Sequence, residues 1–260
     1  MAPLSPSAFA ERYSVDPQLA KEAFARLTSG EVIALAVSGK FGSGKDTVAP
    51  PVVASLGHAD DALHEFFAKP LKDEMNNVID LIRSAEAQGV AIRAVAASEQ
   101  VSIADATAVV TRLWDDVKNG AVQNSKDRTD ALRFALQYWG TDVRRTQDQN
   151  YWVKIAISET LQKLAAGNSV FVTDARFPNE IDSLADLGAA TVRLKVSTEV
   201  QEARIVSRDG IVPTVEARNH ISETALDEYE RLGKFTVIVN TDFLDKDQVV
   251  EQVFVGIKGL

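Results

Sequence analysis

The sequence predicts an α/β fold, a parallel sheet covered by helices on both faces. Three observations predict it. Short apolar runs of strand length, Val32–Val37, Ser169–Thr173, Ala190–Val196 and Phe235–Asn240, alternate with stretches of helical period. The runs are apolar almost throughout, as strands buried on both faces must be. The first is followed at once by Gly39-Lys-Phe-Gly-Ser-Gly-Lys-Asp-Thr47, a glycine-rich turn of the kind that joins a strand to a helix.

Each element has a local reason. Residues 1–30 read as an N-terminal helical extension: Asp16-Pro17 starts a helix, Ala20, Ala23, Phe24 and Leu27 recur at helical spacing, and Gly30 ends it. The helix after the glycine turn contains Pro50-Pro51, which removes hydrogen bonds and predicts a kink or a restart. His64–Ala68 is a short second strand, and Lys69-Pro70-Leu-Lys72 opens a helix running through Met75, Val78, Ile79 and Ile82. Residues 83–125 are alanine-rich and read as a helical insertion. Within it Ser102 caps a helix whose stripe is Ile103, Ala106, Val110, Leu113 and Val117. A helix carrying Arg133, Gln137 and Trp139 leads to Gly140–Arg145, and another spans Tyr151–Ala165. The strand Ser169–Thr173 ends in Asp174; after Ala190–Val196 comes a helix over Glu199–Arg208, then a proline-containing loop. Ser222 caps a helix beginning at Glu223, and a final helix follows the last strand. Residues 31–260 thus read as one domain, with a helical insertion over residues 83–125 and, at about 200–222, a stretch that suits a lid.

Composition narrows the classes. A chain of 260 residues buries one large core with an excursion, or two small ones. With no cysteine it has no disulfide, no thiolate chemistry and no zinc site of cysteine type. The apolar runs fall short of a membrane span, and no basic-then-apolar secretion signal opens the chain, so the expected location is cytoplasmic. A net charge of −9 argues against nucleic acid as the partner. A small phosphorylated ligand needs only a few local cations, and a homodimer is compatible with everything above.

The glycine turn carries the chemistry. Its spacing, glycine, four residues, then Gly-Lys, is that of a phosphate-binding loop. Gly39, Gly42 and Gly44 permit backbone conformations that turn successive N–H groups, from Lys40 and Ser43 onward, toward one phosphate. Lys45 reaches the β- and γ-phosphates, and the following helix N-terminus adds partial positive charge. The hydroxyl residue that usually follows the lysine is displaced by one: Asp46 stands there and Thr47 comes next. A strand ending in an acid, Val170-Phe-Val-Thr-Asp174, supplies the second element, a carboxylate that holds Mg²⁺ through water. As a helix cap, Asp174 would have only a structural role. Phosphoryl transfer also needs converging cations, and Arg133, Arg144, Arg145, Arg176, Arg204 and Arg208 are the candidates. Arg204 and Arg208, four apart, share one helix face beside a loop with Gly210 and Pro213, an arrangement that suits a lid.

These segments, with Ala68-Lys-Pro-Leu-Lys72, Leu136-Gln-Tyr-Trp-Gly-Thr-Asp142, Thr173-Asp-Ala-Arg-Phe-Pro-Asn-Glu180 and His220-Ile-Ser-Glu223, occur in an order that resembles the bacteriophage-type deoxynucleoside monophosphate kinases. The resemblance spans roughly residues 31–242. It implies the P-loop nucleoside monophosphate kinase fold and transfer of the ATP γ-phosphoryl group to a deoxynucleoside 5′-monophosphate with Mg²⁺. A phage-encoded chain would work in the host cytoplasm. The resemblance further implies that Gly39–Thr47 hold the ATP phosphates and that Asp174 orders magnesium-bound water. Arg176 would contact the acceptor or transferring phosphate, with Lys45, Arg204 and Arg208 completing the catalytic set. Lys72, Arg133, Gln137, Thr141 and Arg144 would frame the acceptor, Gln137 reading its base and Trp152 or Trp139 either stacking on it or lying in the core. His220 and Ser222 read as capping residues. Two alternatives stand beside this one: another small-molecule kinase such as a phosphomevalonate kinase, and a nucleotide-binding interaction protein without transferase activity.

Overall fold

A computed structural model describes residues 3–210 and 218–258. The chain divides into two compact units, one of residues 1–67 and 156–260, the other of residues 68–155.

The first unit is the α/β part. Its helices and strands are α1 (Pro6–Tyr13), α2 (Pro17–Ser29), β1 (Ala34–Gly39), α3 (Lys45–Ser55) and β2 (Ala62–Glu65), then the C-terminal part of α8 (Tyr151–Ala165). After α8 come β3 (Ser169–Val172), α9 (Pro178–Leu187), β4 (Ala190–Lys195) and α10 (Thr198–Asp209). The last are α11 (Ile221–Thr224), α12 (Asp227–Arg231), β5 (Val237–Asn240) and α13 (Lys246–Lys258). The five strands form one parallel sheet ordered β2-β3-β1-β4-β5. β1 is central and buried along its whole length, with Ala34 opposite Val170 on one side and Leu35 opposite Ala190 on the other. Alternate residues serve opposite faces. Leu35 and Val37 meet Val48, Val52 and Val53 of α3 and Val249 and Val253 of α13, while α9 covers β1 and β4. α1 also belongs to this unit: Tyr13 donates to the Asp186 carboxylate at 2.6 Å, and Leu4 N–H to the Asp186 carbonyl at 2.9 Å.

α3 runs through Pro50-Pro51 as one helix, without the restart that the prolines suggested. Two interior prolines cost about 3 kcal/mol each and leave the carbonyls of Asp46 and Thr47 without their i+4 donors. The helix is held by burial: Val48, Val52 and Val53 are each under 5% exposed and offset that loss at about 1.5–3 kcal/mol apiece. The first turn is unaffected, since Thr47 and Val48 N–H both donate to the Gly44 carbonyl at 3.0 Å.

The second unit is helical. It holds α4 (Ala68–Ser84), α5 (Gln88–Glu99), α6 (Ile103–Lys118), α7 (Asp130–Gln137) and a π-helical segment, Tyr138–Arg145, before entering α8. Its core is its own: Met75, Val78, Ile79 and Ile82 of α4 pack with Val95 of α5, Val110 and Leu113 of α6, and Trp139. Ser102 caps α6 as its position predicts, its Oγ accepting from Asp105 N–H at 3.0 Å. Ile103, the first of the predicted stripe, is 56% exposed, because it lies in the opening turn before the stripe reaches the core.

Candidate active site

The turn after β1 has the shape of a cradle. Gly42 and Gly44 have φ of 78° and 90°, values that strain any other residue. A β-carbon on Gly39 would collide with the Ser43 side chain and come within 3.0 Å of the Leu194 carbonyl, so only glycine lets the loop close over β1. Helix geometry gives the Lys45 and Asp46 amides, the first two of α3, no intrahelical acceptor, whereas Thr47 and Val48 N–H already donate to the Gly44 carbonyl. Ser43 is 2% exposed, and its hydroxyl is a buried side-chain polar atom with no partner among the described residues. The orphaned, buried Ser43 hydroxyl fits an oxyanion ligand such as a nucleotide phosphate, while the Phe41 and Ser43 amides of the turn are already engaged, by Glu223 Oε2 at 2.8 Å and the Lys40 carbonyl at 3.0 Å.

Lys45 and Asp46 are the first residues of α3. The Lys45 side chain is 10% exposed, and its Nζ lies 2.9 Å from Asp46 Oδ2. The other oxygen of Asp46 accepts from Thr173 Oγ1 at 2.6 Å, and Thr173 Oγ1 lies 2.8 Å from His64 Nε2. With Thr173 donating to Asp46, His64 Nε2–H is the donor that completes the chain. Desolvation raises the Asp46 pKa, but hydrogen bonds from Thr173 and Lys45 outweigh it and hold the group below the usual carboxylate range. Burial lowers the His64 pKa against the raising pull of Asp46 and Asp174, and the ring stacks on Phe171 at 4.4 Å. The His64–Thr173–Asp46–Lys45 chain joins β2, β3 and the loop; no spacing in the sequence announces it. Asp174 follows β3, the neighbour of β1, and its Oδ1 accepts from Phe67 N–H at 2.9 Å. Thr47 is exposed one residue beyond Asp46.

Behind the loop, α10 grips its carbonyls. Gln201 Nε2 donates to Phe41 O at 2.6 Å, and Arg204 donates to Gly42 O at 3.4 Å, to Thr241 O at 2.7 Å and to Thr241 Oγ1 at 3.0 Å. This corrects the sequence expectation for Arg204, whose planar fork fastens α10 to the loop and to the end of β5 and is not held open toward a ligand. Arg208 is exposed and lies 4.7 Å over the Phe41 ring. Of the expected lid, residues 211–217 lie outside the described residues, and α10 itself is packed. A second network secures the loop from β4. Arg193, 3% exposed, donates to Glu230 at 2.9 Å, to Ser38 Oγ at 3.2 Å and to Asp227 at 3.3 Å. Lys40 Nζ reaches Asp227 at 2.9 Å. Desolvation raises the Glu230 pKa, yet Lys195 and Arg193 together bring it below its ordinary value.

Arg176 follows Asp174; its N–H donates to Glu180 Oε2 at 2.7 Å and its guanidinium pairs with Glu223. Glu223 lies in α11, which begins at Ile221 and is capped by His220, whose Nδ1 accepts from Ser222 N–H at 3.3 Å. The cap is therefore His220 and not Ser222, two residues earlier than the serine pattern suggested.

The acceptor candidates all lie in the second unit, and they divide. Lys72, Arg133, Gln137 and Thr141 are exposed. Arg144 and Trp152 are not. Arg144, 5% exposed, pairs with Glu74 at 2.8 Å and Glu99 at 3.3 Å and lies 4.8 Å over the Tyr151 ring and 5.3 Å over that of Trp139. The π-helical segment explains this: its wider turn stacks residues five apart, so Trp139 Nε1 and Arg144 Nε both donate to Glu74 Oε2 at 2.8 Å. Trp152 is 3% exposed and donates to the Gly140 carbonyl at 3.0 Å. Both are corrections to the sequence reading, since a guanidinium committed to two buried carboxylates and an indole inside the core have no face to offer a nucleotide. Trp139, 0% exposed, is core too.

A parallel sheet with a phosphate-type loop after its central strand and an acid after the adjacent strand defines an α/β protein of the nucleoside monophosphate kinase kind. More particularly, residues 68–246 match the profile of the deoxynucleotide monophosphate kinases, and the chain belongs to that family. The loop Gly39–Thr47 precedes the matched stretch and stands on its own geometry. A curated relative, the uncharacterized protein ORF77 of Ictalurid herpesvirus 1 (strain Auburn), is 38% identical over 89 residues, which make up 34% of this chain and 34% of that protein. The match therefore spans about a third of the relative. Among solved structures, TT1252 from Thermus thermophilus aligns over 88% of this chain and 97% of its own at 16% identity and a TM-score of 0.45. An uncharacterized protein from Eubacterium ventriosum aligns over 88% and 99% at 10% identity and a TM-score of 0.36. Likeness at that level bears on neither fold nor function. No helix among the described residues is long and apolar enough to cross a membrane.

Proposed function

We propose that the protein transfers the γ-phosphoryl group of ATP to the 5′-phosphate of a deoxynucleoside monophosphate. A phosphate oxygen of the acceptor attacks the γ-phosphorus, the bond to the β-phosphate oxygen breaks, and ADP leaves with a deoxynucleoside diphosphate. The observation that carries this reading is the cradle of Gly39–Lys45, with the Ser43 hydroxyl buried and unpartnered inside it, in a chain of the deoxynucleotide monophosphate kinase family. The loop amides and Ser43 bind the donor phosphates. Lys45 exchanges its Asp46 partner for phosphate oxygens and neutralises charge that grows during transfer. Asp174 and Thr47 are the residues that would hold a Mg²⁺ ion, which would supply further charge neutralisation when bound. Lys72, Arg133, Gln137 and Thr141, exposed on α4, α7 and the π-helical segment, hold the acceptor, and the amide of Gln137 can both donate to and accept from a base edge.

The test is direct. Purified protein with ATP and Mg²⁺ is offered dTMP, dGMP, dCMP, dAMP, their ribose counterparts and phosphomevalonate, and products are separated by ion exchange. Diphosphates formed from deoxynucleotides support the proposal. Turnover of phosphomevalonate alone, or ATP binding with no transfer to any acceptor, would contradict it.

A further inference from the structure

The motif His220-Ile-Ser-Glu223 is explained only in part by capping. His220 caps α11, but Glu223 faces elsewhere. Its side chain is 11% exposed, and its two oxygens are divided between two donors. Oε2 accepts from the N–H of Phe41, inside the phosphate loop, at 2.8 Å. Oε1 accepts from the guanidinium of Arg176. One donor is a backbone amide of the loop assigned to ATP; the other is the arginine assigned to the acceptor or transferring phosphate. A carboxylate presents two anionic oxygens to a pair of donors much as a phosphoryl group does.

We propose that Glu223 is an internal stand-in for a phosphoryl group: it occupies the Phe41 amide and Arg176 in the nucleotide-free protein and is displaced when nucleotide binds. The inference rests on the reading of Gly39–Thr47 as the ATP loop. Charge supplies the reason. Two anions cannot share the same two donors without strong repulsion in a partly desolvated site, so phosphate and Glu223 compete. The competition has a use. Arg176, 32% exposed, is kept oriented beside the loop while the site is empty, and the charge-assisted contact to Glu223 is lost only in exchange for an equivalent one. Glu223 is thus a positioning residue that acts through Arg176 and the loop, and it sets nucleotide affinity downward. His220, by capping α11, fixes the short helix that carries it.

The sign of the effect makes the test decisive. ATP, ADP and tripolyphosphate are titrated calorimetrically into the wild-type protein, E223Q and E223D, with melting temperature measured for each. Glutamine keeps the shape but loses the negative charge, so E223Q binds ATP and tripolyphosphate about tenfold tighter, the scale of one charge-assisted hydrogen bond. Aspartate keeps the charge on a shorter arm that cannot span both donors, so E223D also binds tighter, by a smaller factor. A residue that only supports the fold would leave affinity unchanged or weaken it as melting temperature falls. Affinity for ATP that is equal or weaker in both variants overturns the inference while leaving the ATP site intact. Failure of the wild-type protein and both variants to bind any of the three ligands overturns the inference together with the ATP-loop reading.

Discussion

Replacing Arg144 with alanine separates a structural from a substrate-binding role, and the structure sets the size of the effect. The guanidinium is 6% exposed and sits between Glu74, 18% exposed, and Glu99, 8% exposed. Its removal strands two carboxylates in the interior of the second unit. Glu74 keeps the hydrogen bonds from the Trp139 indole and, at 2.5 Å, the Tyr151 hydroxyl, while Glu99 keeps Asn77. None of these carries a compensating charge. Breaking a buried ion pair from one side costs about 3–5 kcal/mol, a range that already includes loss of packing on Tyr151 and Trp139. At about 2–4 °C per kcal/mol for a chain of this size, the melting temperature falls by about 6–20 °C. Urea unfolding followed by tryptophan fluorescence reads the same loss, and Trp139 reports on the network from within. Arg144→Lys recovers only part of it, because an ammonium group cannot offer Nε and Nη2 together to one carboxylate. An Arg144→Ala protein with wild-type stability and a selectively raised KM for the acceptor would refute the reasoning and return Arg144 to the substrate site.

Three further outcomes follow from the geometry. Asp174→Asn retains the fold, because its amide oxygen still accepts from Phe67 N–H, but the half-saturating Mg²⁺ concentration rises about tenfold or more; an unchanged magnesium titration would leave Asp174 a structural cap. Arg204→Ala lowers the melting temperature as well as turnover, since it releases the Thr241 and Gly42 carbonyls at about 1–3 kcal/mol, whereas a fall in kcat with melting unmoved would restore it to a purely catalytic role. Burial and the hydrogen bond to Glu74 push the Tyr151 hydroxyl up to about 12, against about 10 in an unfolded chain, so the folded state holds this proton more tightly. Stability therefore falls as pH rises from about 10 toward 12, and it falls less steeply in Tyr151→Phe; identical alkaline profiles for the two proteins would contradict this.

The strands and long helices were legible because they depend on local pattern. Apolar runs marked β1, β3, β4 and β5, with ends shifted by no more than about two residues, and α8 begins and ends at Tyr151 and Ala165 as predicted. The glycine loop was legible because its backbone conformations require glycine at 42 and 44. Pro50-Pro51 misled because local propensity was overridden by burial of α3 on both sides of the pair. Arg144 and Trp152 misled for a different reason. A charged or aromatic residue near a binding motif looks the same in sequence whether it faces solvent or core, and the deciding partners, Glu74 and Glu99, lie 70 and 45 residues away. The same long separation concealed the pairing of Glu223 with Phe41 and of His64 with Thr173. The π-helical turn over Tyr138–Arg145 has no periodic signature to detect; it shows only in which side chains it stacks.

Steady-state turnover of Lys45→Ala tests the central claim most directly. Lys45 is a buried cation of the loop, held at 2.9 Å by Asp46, and the proposed reaction has it exchange that partner for phosphate. With ATP, Mg²⁺ and the best deoxynucleoside monophosphate, the wild-type protein produces the diphosphate, and the variant does so at least about a hundredfold more slowly, the scale of one preorganised charge contact to a transferring group. Its melting temperature should lie within a few degrees of wild type, because Lys45 contributes one short-range pair to a well-buried helix. A folded Lys45→Ala protein that phosphorylates the acceptor at the wild-type rate would contradict the account.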